Sequence, residues 1–187
     1  MSSAAPEIRK AQYVEGRTLV FRNATADDAE FILSLRTDPG KSRHLSQTIN
    51  DVELQRSWLR NYSTSDGQAY FVIENGGEAI GTVRLYDAKG ESFCWGSWII
   101  KDGSPSHAAI ESVLMVYVFA VGSLGFKASH FDVRKKNEHV VRFHERFGAK
   151  RVGENDEDYL FAVTMKEINA ARKKYSKFLM NPLVVQF

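Results

Sequence analysis

Cysteine, proline and long apolar runs are all scarce in this chain of 187 residues. A lone cysteine, Cys94, excludes an internal disulfide. No window approaches the ~18 apolar residues of a membrane span, and the opening MSSAAPEIRK lacks the apolar core of a signal peptide. A cytoplasmic protein without a membrane partner is therefore expected. Net charge is also small, +2 with a pI of about 8.6, too mild to argue for nucleic acid. No internal repeat, low-complexity stretch or metal site is read from the chain. What is there is ordinary for one globular domain: 43% hydrophobic and 26% charged residues, with length enough for a continuous core.

Taken in order, residues 1–16 are expected to be a mobile leader, 17–166 a single domain, and 167–187 a helix and tail packing on that domain or on a second subunit of a homodimer. A first strand is placed at Arg17 to Arg22. Thr25-Ala26-Asp27-Asp28 has capping-box spacing ahead of a helix carrying Ala29, Ile32, Leu33 and Leu35. Pro39-Gly40 should end that helix, and Lys41 to Asn50 should be a loop before a second helix capped by Asp51. Ala69 to Glu74 and Ala79 to Tyr86 read as strands joined by Asn75-Gly76-Gly77. A final hairpin runs through Lys150 to Gly153 and Tyr159 to Met165.

The stretch from Glu91 to Ala149 organises the rest. An aromatic and aliphatic strand, ESFCWGSWII, enters the polar turn KDGSPSH, after which the apolar spacing becomes helical. Ser104 is a good N-cap and Pro105 a good first helical residue. The amides of Ser106, His107 and Ala108 would then point out of a helix start, where the dipole favours an anion.

This stretch, with Asn137 followed eleven residues later by Gly148 and with the opening LVFRNATADDAEFILSLRTDP, resembles the GCN5-related N-acetyltransferases, and within them the branch of the ribosomal-protein alanine acetyltransferases and the nucleotide-amino-sugar acetyltransferases. The resemblance covers roughly Leu19 to Met165. It implies an α/β (α+β) fold: a mixed sheet of six to seven strands, about four flanking helices, and a splay between two central parallel strands. It also implies acetyl-CoA (coenzyme A) as cosubstrate. The pantetheine arm would lie along the backbone of Trp98, Ile99 and Ile100. The pyrophosphate would meet the loop from Ser104 through Ser106, His107 and Ala108 to Ala109. Asn137 would hold the cofactor arm, and Arg134-Lys135-Lys136 could meet the 3′-phosphate. The family's phosphate loop is normally glycine-rich, and here only Ala109 fits its pattern.

The family's tyrosine general acid falls on His144, whose imidazole can donate a proton near neutral pH, and its acidic strand residue falls near Cys94. For a general base, Glu111, His107 and Glu91 are candidates. A catalytic Cys94 thiol is an alternative, although strand cysteines are more often inert. Arg36, Arg43, His44 and Gln55, in or beside the loop and second helix, are candidate substrate contacts. The implied activity is acetyl transfer to a primary amine of a small molecule, with a nucleotide-linked amino sugar favoured. An N-terminal peptide or ribosomal-protein acetyltransferase and a silent acyl-CoA-binding or protein-interaction domain are the alternatives.

Overall fold

The structure, a computed structural model, describes residues 5–180 and 182–187. Among these residues one sheet holds nine strands: β1 (Tyr13–Glu15), β2 (Leu19–Asn23), β3 (Ala69–Asn75), β4 (Glu78–Lys89), β5 (Ser92–Ile100), β6 (Ala128–Arg134), β7 (Lys150–Glu154), β8 (Asp158–Thr164) and β9 (Val184–Gln186). Their spatial order is β7-β8-β6-β5-β4-β3-β2-β1-β9. Only β5 and β6 run parallel, and the crossover between them is the helix α4 (Ala108–Gly122). The other helices are α1 (Ala29–Arg36), α2 (Pro39–Ser42), α3 (Val52–Thr64), α5 (Glu138–Arg146) and α6 (Met165–Lys174).

The seven strands expected from sequence are present, and β1 and β9 extend the sheet beyond them. Residues 1–4 of the expected leader lie outside the described residues, but Tyr13, Val14 and Glu15 pair with β2, and Ile8, Ala11 and Val14 are buried. The leader therefore contributes to the domain from Ile8 onward. The apolar face that accounts for this, Ile8, Ala11 and Val14, is spaced by threes and does not alternate, so no strand is legible there. In the tail, β9 pairs with β1 on the same chain. Pro39-Gly40 also does more than end α1: Asp38 accepts from the Gly40 amide at 2.8 Å and starts the one-turn helix α2.

Two cores lie on opposite faces of the sheet. On one, α4 is apolar nearly all round, as a helix buried on every side must be, and Val113, Leu114, Met115, Val116 and Phe119 pack against Phe21, Phe71, Phe93 and Trp95. On the other, Ile32 of α1 and Leu59 and Tyr62 of α3 cover Tyr70 and Val72. The hairpin of β3 and β4 turns through Gly76 and Gly77, both at positive φ (58° and 84°), as a primed turn requires. The expected capping box is formed: the Asp28 carboxylate accepts from the Thr25 amide at 2.7 Å and pairs with Arg22 at 2.8 Å.

A second capping box starts α6. The Glu167 carboxylate accepts from the Thr164 hydroxyl and from the Thr164 amide at 3.0 Å, and pairs with Lys150 at 3.0 Å. The Thr164 hydroxyl, with Lys150, holds its pKa down at about 2 against an ordinary 4.5. A depressed carboxylate contributes stability in full above its unfolded pKa and loses it as pH falls toward the folded one. Glu167→Gln should therefore flatten the stability decline between about pH 4.5 and 2 in urea melts, while leaving the wild-type decline at higher pH unchanged.

Candidate active site

Parallel pairing of β5 with β6 is short. It joins Ser92, Phe93 and Cys94 to Ala128, Ser129 and His130, and then stops. Beyond it β5 continues beside β4 as far as Ile100, opposite Gly81, while β6 follows β8 out to Arg134. The two strands part, and the β5 edge from Trp95 to Ile100 keeps its backbone donors and acceptors free of a neighbouring strand. Within this segment β5 carries a bulge: Ser97 and Trp98 together oppose Val83, Ser97 has a φ of 47°, and its carbonyl accepts from the Thr82 hydroxyl at 2.8 Å. Bulges re-aim backbone and side chains beside active sites.

Two adjoining cavities, of about 270 and 330 Å³, fill the part between the strands. The larger is lined by Trp98, Ile99, Ile100, Ala109, Asn137, Lys41 of α2 and the loop residues His44 and Leu45. The smaller reaches Trp95, Gly96, Tyr86 and His144. Asn137 borders both and occupies the N-cap position of α5, yet its side chain makes no cap hydrogen bond. Its amide is thus free for a ligand. The expected cofactor residues Trp98, Ile99, Ile100, Ala109 and Asn137 therefore meet in one place.

The polar loop differs from its expected form. Gly103 turns at positive φ, the Ser104 hydroxyl donates to the Lys101 carbonyl at 2.7 Å, and α4 begins at Ala108 rather than Pro105. Ser104 closes a turn and is not the N-cap; His107 stands in that position without a side-chain cap. The His107 ring lies 2.8 Å from the Thr18 hydroxyl, so it faces β2 and not the loop. Ser106 is exposed and Ala108 fully buried. The amides of Ser106, His107, Ala109 and Ile110 have no protein acceptor among the described residues, which leaves an α4 start able to receive an anion. Arg134 is engaged with Glu157 of the acidic β7–β8 loop and Lys135 with Glu154 at the end of β7, which weakens their case as phosphate ligands.

His144 lies in an aromatic cage of Trp95, Trp98, Phe131, Phe143 and Phe161, with ring centroids 4.6 to 6.5 Å away. It is 4% exposed, and its Nδ1 has no hydrogen-bond partner. Burial alone pushes its pKa down to about 3. The ring borders the smaller cavity as expected, but its burial favours the neutral form over the imidazolium donor expected from sequence. Glu111 does not face the cavities. Its 1%-exposed carboxylate accepts from the Thr18 amide and hydroxyl, each at 2.6 Å, and from the Leu19 amide at 3.0 Å. It is a brace between α4 and β2, not a general base. Glu91 pairs with Lys127 at the exposed start of the parallel β5–β6 pairing. Cys94 is 5% exposed and burial pushes its thiol up to about 11, so it stays protonated.

A third cavity, of about 450 Å³, opens beyond the bulge between α3, the loop and β4, and it contains Arg36, Gln55, Trp58, Arg84, Tyr86 and Ser97. Arg36 donates to the hydroxyls of Thr48 and Ser46, at 2.8 and 3.0 Å, so it pins the loop. Arg84, which sequence reasoning missed, donates to the Gln68 side chain at 2.9 Å and lies over the rings of Trp58 and Tyr86, 5.1 and 4.9 Å from their centroids. Burial pulls the Arg84 pKa below its ordinary value, and the Arg36 charge acts in the same direction. Among the described residues neither guanidinium has a carboxylate partner, in contrast to Arg22, which has two. The missed signal is an arginine on the polar side of an otherwise apolar strand, AIGTVRLY. Of the other expected substrate contacts, Gln55 lines this cavity, His44 lines the two between the strands, and Arg43 is exposed and lines none of the three.

Known proteins share this fold. The family model of the acetyltransferase (GNAT) domain matches residues 18–150. Among solved structures, apo FdhC, described as a nucleotide-linked sugar GNAT, is 35% identical, with a TM-score of 0.80 over 90% of this chain and 98% of that one. A GCN5-related N-acetyltransferase from Brucella melitensis is 18% identical, with a TM-score of 0.78 over 97% and 91%. The spermidine/spermine N-acetyltransferase SpeG from Vibrio cholerae, solved in mutant forms, is 14% identical, with a TM-score of 0.66 over 82% and 97%. No curated protein sequence matches the chain. A sheet parted between its parallel strands, with cavities on both sides of a bulge, thus belongs to a class of acyl-transferring enzymes. The chain is a member of the GNAT acetyltransferase family and is an N-acetyltransferase. No helix among the described residues is long and apolar enough to cross a membrane.

The state of His144 can be read directly. Its lowered pKa means that the folded protein favours the neutral ring, so the associated stability is present above the unfolded value of about 6.5 and declines as pH falls below it. Imidazole NMR signals of His144 should show no protonation between about pH 8 and 5, and titration of this ring near pH 6.5 would contradict the buried geometry.

Proposed function

We propose that this N-acetyltransferase takes acetyl-CoA in the part between β5 and β6 and passes the acetyl group to the primary amine of a nucleotide-linked amino sugar. The observation that carries the acceptor is the pair Arg36 and Arg84, two guanidiniums without carboxylate partners in the cavity beyond the bulge. Half-buried cations left unpaired are costly unless an anion arrives to meet them. A diphosphate offers that anion, and arginine is the side chain suited to binding it through two hydrogen bonds. Trp58 and Tyr70 add ring surface for a base or sugar. The 35% identity to a protein described as a nucleotide-linked sugar GNAT supports the same reading.

The residues also fit the cosubstrate. An unpaired β5 edge suits the amide-bearing pantetheine arm, the free Asn137 side chain can add a contact, and the open amides at the start of α4 suit the pyrophosphate. When bound, acetyl-CoA supplies the activated acyl group. The chain's own part is to align the amine with it, exclude water and manage one proton. The fit needs no glycine-rich loop because the donors are backbone amides at a helix start, and Ala109 presents only a methyl there.

Two measurements test this. Calorimetric titration should show micromolar binding of acetyl-CoA that weakens in Asn137→Ala by about tenfold or less, as the loss of one hydrogen bond implies. Arg84→Met should raise KM for a nucleotide-linked amino sugar by roughly 10- to 100-fold, with acetyl-CoA affinity unchanged. Acetylation of peptides but not of amino sugars by the wild type would reject the acceptor.

A further inference from the structure

Where this chain uses an arginine to hold its fold together, it neutralises the cation: Arg22 pairs with Asp28 at 2.8 Å and with Glu74 at 2.7 Å. Arg84 is held as firmly, but by a neutral group. The Gln68 side-chain oxygen accepts from its Nε, at 2.9 Å, and from its Nη2. The partners fix which way that amide points. A guanidinium only donates, so the oxygen must face Arg84, and the nitrogen is left to donate to the Ser65 hydroxyl at 2.7 Å. Ser65 donates in turn to the Tyr62 carbonyl, at 2.9 Å, which anchors the amide to the end of α3. Arg36 repeats the pattern, since it is held by the hydroxyls of Thr48 and Ser46. Both cations of this cavity are thus oriented by neutral oxygens, and among the described residues neither has a carboxylate partner.

We infer that Gln68 is a positioning residue that sets the charge specificity of this cavity: it fixes the Arg84 guanidinium through two hydrogen bonds while leaving its positive charge for an anionic group of the acceptor. A glutamate would accept the same two bonds and hold the guanidinium more strongly as a charged pair. It would also cancel the charge that the cavity presents. The amide forgoes that attraction, and the result is a half-buried cation that is oriented but not neutralised. Burial pulls the Arg84 pKa below its ordinary value, as fits a cation without a counter-charge. Two such guanidiniums in one cavity favour a multiply charged anion and repel a cationic polyamine. The inference rests on the phosphate-bearing acceptor proposed above and adds to it the group that keeps the site cationic.

The test uses protein saturated with coenzyme A, so that the start of α4 is occupied, titrated calorimetrically with uridine diphosphate, thymidine diphosphate and inorganic pyrophosphate. Wild type should bind at least one of them. Gln68→Glu should weaken that binding about 10- to 100-fold. Its thermal unfolding without the anion should come at no lower temperature than that of wild type. The new carboxylate keeps both bonds to Arg84, and the Ser65 hydroxyl can turn toward it because the Tyr62 carbonyl still accepts from the Ser65 amide at 3.1 Å. Gln68→Met loses both bonds but leaves the charge, so it should bind the anion more tightly than Gln68→Glu does. A purely structural Gln68 would give the reverse order, because the glutamate variant holds Arg84 and the methionine variant does not. The inference is overturned by that reverse order, or if Gln68→Glu binds the anion within about twofold of wild type. Wild type that binds pyrophosphate but neither nucleotide rejects the nucleotide-linked acceptor alone, and the order of the variants is then read with pyrophosphate. Wild type that binds none of the three overturns both.

Discussion

Everything in this site depends on the backbone hydrogen bonds that β5 does not make. Three residues on each of β5 and β6 pair in parallel, and from Trp95 onward β5 has a neighbour on one side only. An internal strand with a bare edge is expensive in a folded protein, since each buried peptide group needs a partner. The fold tolerates it because both flanks are fixed independently: β4 holds β5 to its end, β8 holds β6 to its end, and α4 spans the crossover behind them. What a ligand finds is a preformed groove rather than one that must open.

The bulge at Ser97 and Trp98 divides that groove from the cavity of Arg36 and Arg84. One extra residue reverses the alternation of side chains, so Trp98 turns inward to donate to the Ser112 hydroxyl at 3.1 Å and joins the cage around His144. Ser97 turns the other way, into the cavity of the two arginines. Glu111 supports the arrangement from a distance by tying the first turn of α4 to Thr18 and Leu19. Neutral His144 contributes an aromatic surface and shape. Its ring packs among aromatic neighbours as the phenylalanines beside it do.

Much of this is legible in the sequence because local signals and global fold agree. The Gly76-Gly77 turn, the Thr25 to Asp28 box, the strand of Trp95 and Trp98 and the apolar run of α4 each specify their own element. Asn137 is legible as the start of α5, where the structure places it on the border of both cavities. The failures share one cause: a side chain's partner can lie far away in the chain. Glu111 reads as a base because its bonds to Thr18, 93 residues away, leave no trace in its neighbourhood. His144 reads as a proton donor because a separation of seven residues places it near Asn137 but does not reveal the five aromatic rings around it. Arg84 and Tyr86 escape notice because alternation marks them as the polar side of a strand, and nothing nearby shows that this side faces a cavity.

Among the described residues, part of the unused bonding capacity borders the groove. The helix starts at His107 and Asn137 lack side-chain caps, and the ring nitrogens of Trp95 and His144 are buried without partners. A missing cap is worth ~1 kcal/mol, and an orphaned buried donor or acceptor ~1–3 kcal/mol. For an engineer this is where stability is easiest to gain. Selecting only for heat resistance would drive substitutions into the walls of the groove, closing it as the protein became more robust.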